Sequence, residues 1–174
     1  MSRGERAATI DPGLHATGVA IWHMEEFLLQ KDREPATAMT VKCADFRAYY
    51  DRIRDIFTTW NVRLVLVENP EFQTGVKGNA AARTGSLVKL AEFVGMVMTL
   101  GFQRGSMVDF VNVSAWKGSL PKTVVADRVL KIWPECPFTF KDDAMDAIAL
   151  GFWAQGFINT QLAAYSMPSR EKLR

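Results

Sequence analysis

Four carboxylates stand where stability alone gives little reason for them. Asp11 closes a short β-favouring segment, Arg6–Asp11 (RAATID), directly before Pro12-Gly13. Glu68 follows the apolar run Leu64–Val67. Asp143 and Asp146 lie three apart in KDDAMDAIALGFWA, so on a helix both point to one side, about 60° apart. Three of the four have a plain structural role open to them. Asp before Pro-Gly initiates turns well. A glutamate at a strand end can reach solvent at the sheet rim, and Asp142 with Asp143 can cap a helix or favour its positive end. Asp146 resists such a role, because it is too far in to cap a helix starting near Asp142 and Ala147–Trp153 after it is apolar throughout.

The combination has a chemical meaning that the single residues lack. Four acids in a dry cleft repel one another and raise their own pKa values. Divalent cations reverse that penalty, and hard oxygen ligands suit Mg²⁺ or Mn²⁺. The histidines are His15 and His23 alone, and Cys43 and Cys136 are far apart, which argues against a closed zinc site. Two oxygen-bound ions roughly 4 Å apart would activate a water and stabilise a leaving 3′ oxygen during in-line phosphodiester cleavage. No separate general base is then required.

These acids need rigid elements to bring them together. Arg6–Asp11, Ala16–Trp22 and Glu26–Gln30 read as three short strands of an antiparallel meander. Phe46, Tyr49, Tyr50, Ile53, Ile56, Phe57 and Trp60 recur at threes and fours, which predicts a helix over Asp45–Trp60. Val62–Val67 is a buried strand terminated by Glu68-Asn69-Pro70, and a helix feeding such a strand implies a crossover. A second long helix runs from Ser86 to about Gly101, a fifth strand covers Ser106–Val111, and Pro121 opens a helix to about Trp133. The last helix occupies about Asp142–Phe157. The order β-β-β-α-β-α-β-α-α predicts an α/β domain over residues 1–160 with a mixed five-stranded sheet. Residues 161–174 are expected to be a frayed tail.

Size and composition are compatible with this and exclude several classes. The 174 residues suit one globular domain, and 48% hydrophobic with 23% charged content is ordinary for a folded soluble chain. Two cysteines make no disulfide framework and point to a reducing compartment. No apolar leader precedes the first strand, and the greasy stretches Phe93–Leu100 and Ala144–Ala154 read as core helices, so a cytoplasmic protein without a membrane partner is expected. A net charge of +2 says little, but the basic residues are gathered. Lys77, Arg83 and Lys89 occur without an acid between Gly75 and Leu90, as do Lys117 and Lys122 between Val111 and Lys122. All five are candidates for sequence-blind phosphate contacts.

With its acids in this order, the sequence resembles the RuvC-type Holliday junction resolvases of the ribonuclease-H-like superfamily, and phage-encoded members more than typical bacterial ones. The likeness is carried by IDPGLHATGVA at 10–20, LVLVEN at 64–69, GSLVKLAEFVGMV at 85–97, WKGSLPKTVV at 116–125 and DDAMDAIALG at 142–151. It implies a ribonuclease-H-like fold in which Asp11, Glu68, Asp143 and Asp146 bind two divalent cations. It also implies a homodimer whose two sites cut opposing strands of a four-way DNA junction symmetrically. By motif position Lys122 is the basic residue near the scissile phosphate, Lys117 is a second contact, and Phe72 is the counterpart of an aromatic that stacks at the junction centre. Phe72 follows the glutamate later than in the family, after Pro70-Glu71, and His15 stands where small or basic residues are usual. The family's dimer interface falls on the helix Leu87–Leu100. There Ala91, Gly95 and Thr99 form a small-residue line that permits close approach of another helix.

Other readings use the same residues. DPGLHATG could cradle phosphate in an actin-like ATPase, although that fold needs a second lobe and has no use for the Asp-x-x-Asp helix. A ribonuclease H, or a nuclease for flaps and other branched DNA, would place identical carboxylates on the same fold. A junction-binding module without activity would have no reason to keep four such acids.

Overall fold

The computed structural model describes residues 4–69 and 85–166, with side chains as far as residue 157. Strands β1 (Arg6–Asp11), β2 (Thr17–His23), β3 (Thr37–Val41), β4 (Val62–Asn69) and β5 (Met107–Asn112) form one sheet in the order β3-β2-β1-β4-β5. Pairs β1–β2 and β2–β3 are antiparallel, whereas β1–β4 and β4–β5 are parallel. The helices are α1 (Met24–Leu29), α2 (Phe46–Thr59), α3 (Ser86–Gln103), α4 (Val113–Trp116), α5 (Lys122–Ile132) and α6 (Asp143–Ser166). This is the mixed five-stranded α/β sheet with flanking helices that the sequence predicts.

One strand is elsewhere than expected. Glu26–Gln30 is not a strand: most of it lies in helix α1, with Glu25 and Glu26 in the first turn, where acids favour a helix. That turn buries Phe27 against Trp22, with ring centroids 5.5 Å apart. The third strand is instead Thr37–Val41, whose TAMTV carries the branched residues that suit a pleated surface. It pairs antiparallel with β2, so the meander stands with its last member moved along the chain. The single-turn helix α4 was also not anticipated. Helix α6 continues past Phe157 to Ser166.

Alternation along the strands divides the core in two. Ala8, Ile10, Val19, Ile21, Val65 and Val67 face α2 and α3, where they meet Tyr49, Ile53, Phe57, Phe93, Val97 and Leu100. Ala7, Ala20, Trp22, Leu64 and Leu66 face α5 and α6, meeting Val125, Val129, Met145, Ile148, Leu150 and Phe152. By length and composition α3 is apolar enough to cross a membrane, but its Phe93–Val94 and Met96–Val97 face is spent on this core.

Helix α6 lies directly on β1 and β2, and small residues make that possible. A Cβ on Gly18 would stand 2.0 Å from the carbonyl oxygen of Asp143, and one on Gly151 would stand 2.0 Å from the Trp22 ring. Between these two points, buried Thr9 donates its hydroxyl to the Ala147 carbonyl at 2.7 Å and accepts the Trp22 indole N–H at 2.9 Å. The register of the helix along the sheet is thereby set by one buried polar relay.

Candidate active site

The pleat puts Asp11 and Glu68 on the same face. Asp11 shares parity with Ala7 and Thr9, and Glu68 with Leu64 and Leu66, all on the side that carries α6. The parallel register sets Ile10 opposite Val67, so Asp11 and Glu68, one residue further along, end adjacent strands about 4.8 Å apart. Asp11 also faces Gly18 across the antiparallel pair, and Gly18 is where the first turn of α6 touches the sheet. The strand ends thus receive the first turn of α6, which carries both Asp143 and Asp146. Asp11 and Glu68 are buried, and Asp146 is 3% exposed.

Two lysines approach these acids on the same side of the sheet, Lys117 at the C-cap of α4 and Lys122 at the start of α5. Lys117 Nζ lies 2.9 Å from Glu68 Oε2 and 3.7 Å from Asp146 Oδ2. Those two carboxylate oxygens are therefore no further apart than the two legs laid end to end. Lys122 Nζ lies 3.4 Å from both Asp143 Oδ1 and Asp146 Oδ2. The lysines differ in setting: the Lys117 side chain is 17% exposed and that of Lys122 54%. Neither ammonium is within 4.0 Å of an Asp11 oxygen among the described residues.

Sequence reasoning missed Trp116. This residue is buried at the end of α4, and its indole N–H donates to Glu68 Oε2 at 3.0 Å. The ring also carries the Lys117 ammonium 4.6 Å from its centroid, a cation–π contact. A signal was present, since a buried tryptophan needs an acceptor for its N–H and this one adjoins a basic residue just before Gly118 and Pro121.

The electrostatics follow from these contacts. Burial pushes the Asp11 carboxyl well above the usual carboxylate range, and the nearby Glu68 charge adds to that. For Lys117 burial pulls the ammonium down, but Asp11, Glu68 and Asp146 together outweigh it and the net shift is upward. Lys122 behaves alike, with Asp146 and Asp143 overcoming its burial. Asp142 is a separate matter. It caps its own turn by accepting from the Thr139 N–H and hydroxyl, which holds its carboxyl below the ordinary value.

The donor set suits a hard divalent cation: four carboxylates, three of them buried, with no soft ligand among them. The two ammonium groups already stand between the acids as cationic substitutes. With them in place, no group of three or more His, Cys, Asp or Glu side chains closes on a single metal position among the described residues. The acids are thus of the right kind and on the right face, and the two lysines pair with three of them.

The remaining predicted residues divide plainly. Asp11, Glu68, Asp143, Asp146, Lys117 and Lys122 are brought together. Lys89 is not; it lines an open cleft of about 780 Å³ with Leu14, His15, Phe46 and Tyr49, beside α2 and α3. Phe72, Lys77 and Arg83 lie outside the described residues.

No protein-family model and no curated protein matches this chain by sequence. Solved structures do match. Thermus thermophilus RuvC shares 18% identity over 91% of this chain and 96% of its own, with a TM-score of 0.61. The same organism's RuvC in complex with Holliday junction substrate shares 19% over 90% and 96%, with a TM-score of 0.63. The yeast mitochondrial Holliday junction resolvase Ydc2 shares 14% over 92% and 82%, with a TM-score of 0.57. At such identities the likeness is one of architecture: the chain has the ribonuclease-H-like fold that these resolvases share.

Proposed function

We propose that this protein is a divalent-metal-dependent endonuclease that resolves four-way DNA junctions by paired, symmetric nicks. The observation that carries the reading is the meeting of Asp11 and Glu68, at the ends of adjacent strands, with Asp143 and Asp146 on the first turn of α6. Supporting it is a fold likeness to RuvC described in complex with a Holliday junction.

Asp11, Glu68, Asp143 and Asp146 would hold the ions, two Mg²⁺ per site in this reading, with Mn²⁺ able to substitute. When bound, such ions supply an activated water and neutralise charge on the departing 3′ oxygen. The protein's own residues do the positioning. Trp116 and Lys117 fix Glu68 Oε2, so the carboxylate cannot rotate away from the strand end. Lys122, the more exposed ammonium, is the group free to meet a non-bridging phosphate oxygen. Junction selectivity would come from shape and two-fold spacing rather than base readout.

Two coordinated cuts require two sites, and α3 offers a surface for a second copy of the chain. Val88 and Phe102 are 62% and 58% exposed. Ala91, Gly95 and Thr99 lie between them at spacings of three and four on one helix face, and a Cβ built on Gly95 meets nothing within 4 Å. Phe72, Lys77, Arg83 and Lys89 complete the proposed DNA contacts, with Lys117 and Lys122 at the scissile phosphate.

The deciding experiment offers a four-way junction, a linear duplex, a flap and an RNA–DNA hybrid with Mg²⁺ or Mn²⁺ and maps every cut. Two symmetric nicks confined to the junction are expected. Comparable cutting of the linear duplex, or preference for the hybrid, would overturn the assignment. Sedimentation of the free protein as a dimer is expected alongside, with Val88→Glu shifting it to monomer.

A further inference from the structure

We propose that the turn entering α6 is a DNA contact in its own right: Phe140 takes an unstacked base of the cleaved strand beside the scissile phosphate, and Lys42 and Lys141 meet the phosphates flanking that base. This rests on the nuclease reading and adds to it a contact that separates a branched from a linear substrate.

The turn is built to present these residues. Phe140 and Lys141 are its two central positions, and the Asp142 N–H closes it by donating to the Thr139 carbonyl at 3.0 Å. Asp142 Oδ2 accepts from the Thr139 N–H at 2.8 Å and from the Thr139 hydroxyl at 2.9 Å. That hydroxyl in turn accepts the Lys141 N–H at 3.4 Å. An apex tied in this way loses little freedom when a strand settles on it. Phe138 packs against the core beneath α5 and α6, but Phe140, two residues on, packs on neither core and is 44% exposed. The Lys141 ammonium lies 5.8 Å from the centroid of its ring.

The turn is also in the right place. Asp143 follows it directly, so the Phe140 and Asp143 Cα atoms are at most about 11 Å apart. That distance is roughly three nucleotides along one strand. The end of β3 reaches the same point, where the Thr40 hydroxyl accepts the Ala144 N–H at 3.3 Å. Exposed Lys42 follows that strand, near enough to Asp142 to help lower its carboxyl. Lys122, 3.4 Å from Asp143, continues the cationic edge toward the acids.

Composition selects the occupant. A lone ring among lysines suits a base with its phosphates, because every base has a π-face and every linkage a negative charge. A protein partner needs a broad apolar core poor in lysine, which one ring does not supply. Bases inside a continuous duplex are already stacked on their neighbours and gain nothing from Phe140. Where strands exchange, that stacking is interrupted and the ring replaces the missing neighbour. The contact therefore favours the junction.

The test measures affinity for a four-way junction and for a linear duplex, with Ca²⁺ in place of Mg²⁺ and a thermal melt to show that each variant is folded. Phe140→Ala is expected to weaken junction binding about 5- to 100-fold, the contribution of one base–aromatic stack, and to leave the duplex unchanged. Phe140→Trp should bind as wild type does. Single abasic sites are then placed across roughly three nucleotides on either side of the mapped cut. At one of them the loss seen with wild type is expected to vanish in Phe140→Ala. Lys141→Ala should weaken both substrates alike and lower the salt slope by about one. Equal losses on junction and duplex, or additive losses at every abasic position, would overturn the proposal. So would unchanged junction binding by Phe140→Ala, the result that a face kept for a protein partner gives. A wild type without preference for junctions brings down the nuclease reading, whereas one that prefers them and ignores Phe140 brings down this inference alone.

Discussion

Replacing Gly18 by alanine should damage cleavage more than it damages the fold. The added methyl would sit 2.0 Å from the Asp143 carbonyl oxygen, 2.6 Å from its carbonyl carbon and 3.1 Å from the Ala144 nitrogen. All three are backbone atoms at the start of α6, so no rotamer change relieves the clash. Reaching even the 3.4 Å of ordinary contact needs the helix start to retreat by about 1.4 Å, and Thr9 and Trp22 hold the next turn in place. The displacement therefore falls on Asp143 and Asp146, the two acids that must face Asp11 and Glu68. A misplacement of that size lowers a reaction rate by about 10²-fold. Overpacking of this kind destabilises by roughly 1–3 kcal/mol, which outweighs the few tenths to about 1 kcal/mol that alanine gains over glycine in a strand. Melting temperature should fall by several degrees, on the order of 2–4 °C per kcal/mol in a domain of this size. The assay is single-turnover cleavage of a four-way junction with Mg²⁺, beside junction binding in Ca²⁺ and a thermal melt. A variant that cuts at the wild-type rate would refute the claim that Gly18 sets the position of α6.

Other substitutions separate the roles within the site. Asp146→Asn should abolish Mg²⁺-dependent cleavage while leaving junction binding in Ca²⁺ largely intact, and full activity would sink its role as a ligand. Trp116→Phe removes one of two donors to Glu68 Oε2, and with hydrogen bonds to charged groups contributing about 1.5–3 kcal/mol, cleavage should slow roughly ten-fold or more. An unchanged rate in the folded variant would exclude that positioning role. Lys122→Ala should slow cleavage without lowering the melting temperature much, since its side chain is half exposed. Asp11→Asn bears on pH. Burial, and then Glu68, raise the folded carboxyl above its ordinary 3.8, so the ion-free fold carries a penalty that is absent below that pH and complete once the pH exceeds the folded value. In EDTA the variant should therefore melt higher than wild type near neutral pH and not in acid. Equal melting curves at neutral pH would contradict it.

The fold was legible wherever one period dominated. The stripe of α2 and the branched run of β4 needed only their spacing and composition. Glu26–Gln30 misled because three consecutive apolar residues, Phe27–Leu29, between polar ends suit a strand or a single helical turn. Tertiary packing of Phe27 on Trp22, with acids in the first turn, decided for the helix. Helix α4 is one turn long, too short to show any period. The acids were legible because each breaks the pattern of its own element: a charge at the end of a buried strand, or within an apolar helix. The approach that unites them was not. It depends on Gly18 and Gly151, and a glycine records the absence of a side chain without naming what comes close.

The same contrast separates the two halves of the site. The acids project from a sheet and a long helix, elements that the core stabilises irrespective of the chemistry. The cations come from the stretch that leads from β5 into α5, where a single turn of helix ends at Trp116, Lys117 caps it, and Pro121 precedes Lys122 at the start of α5. Removing that stretch would leave three buried carboxylates facing one another without a counter-charge. The sheet therefore places the acids, and the short α4–α5 segment makes their proximity tolerable. Substitutions that loosen this segment should raise the site's demand for divalent ions before they unfold the domain.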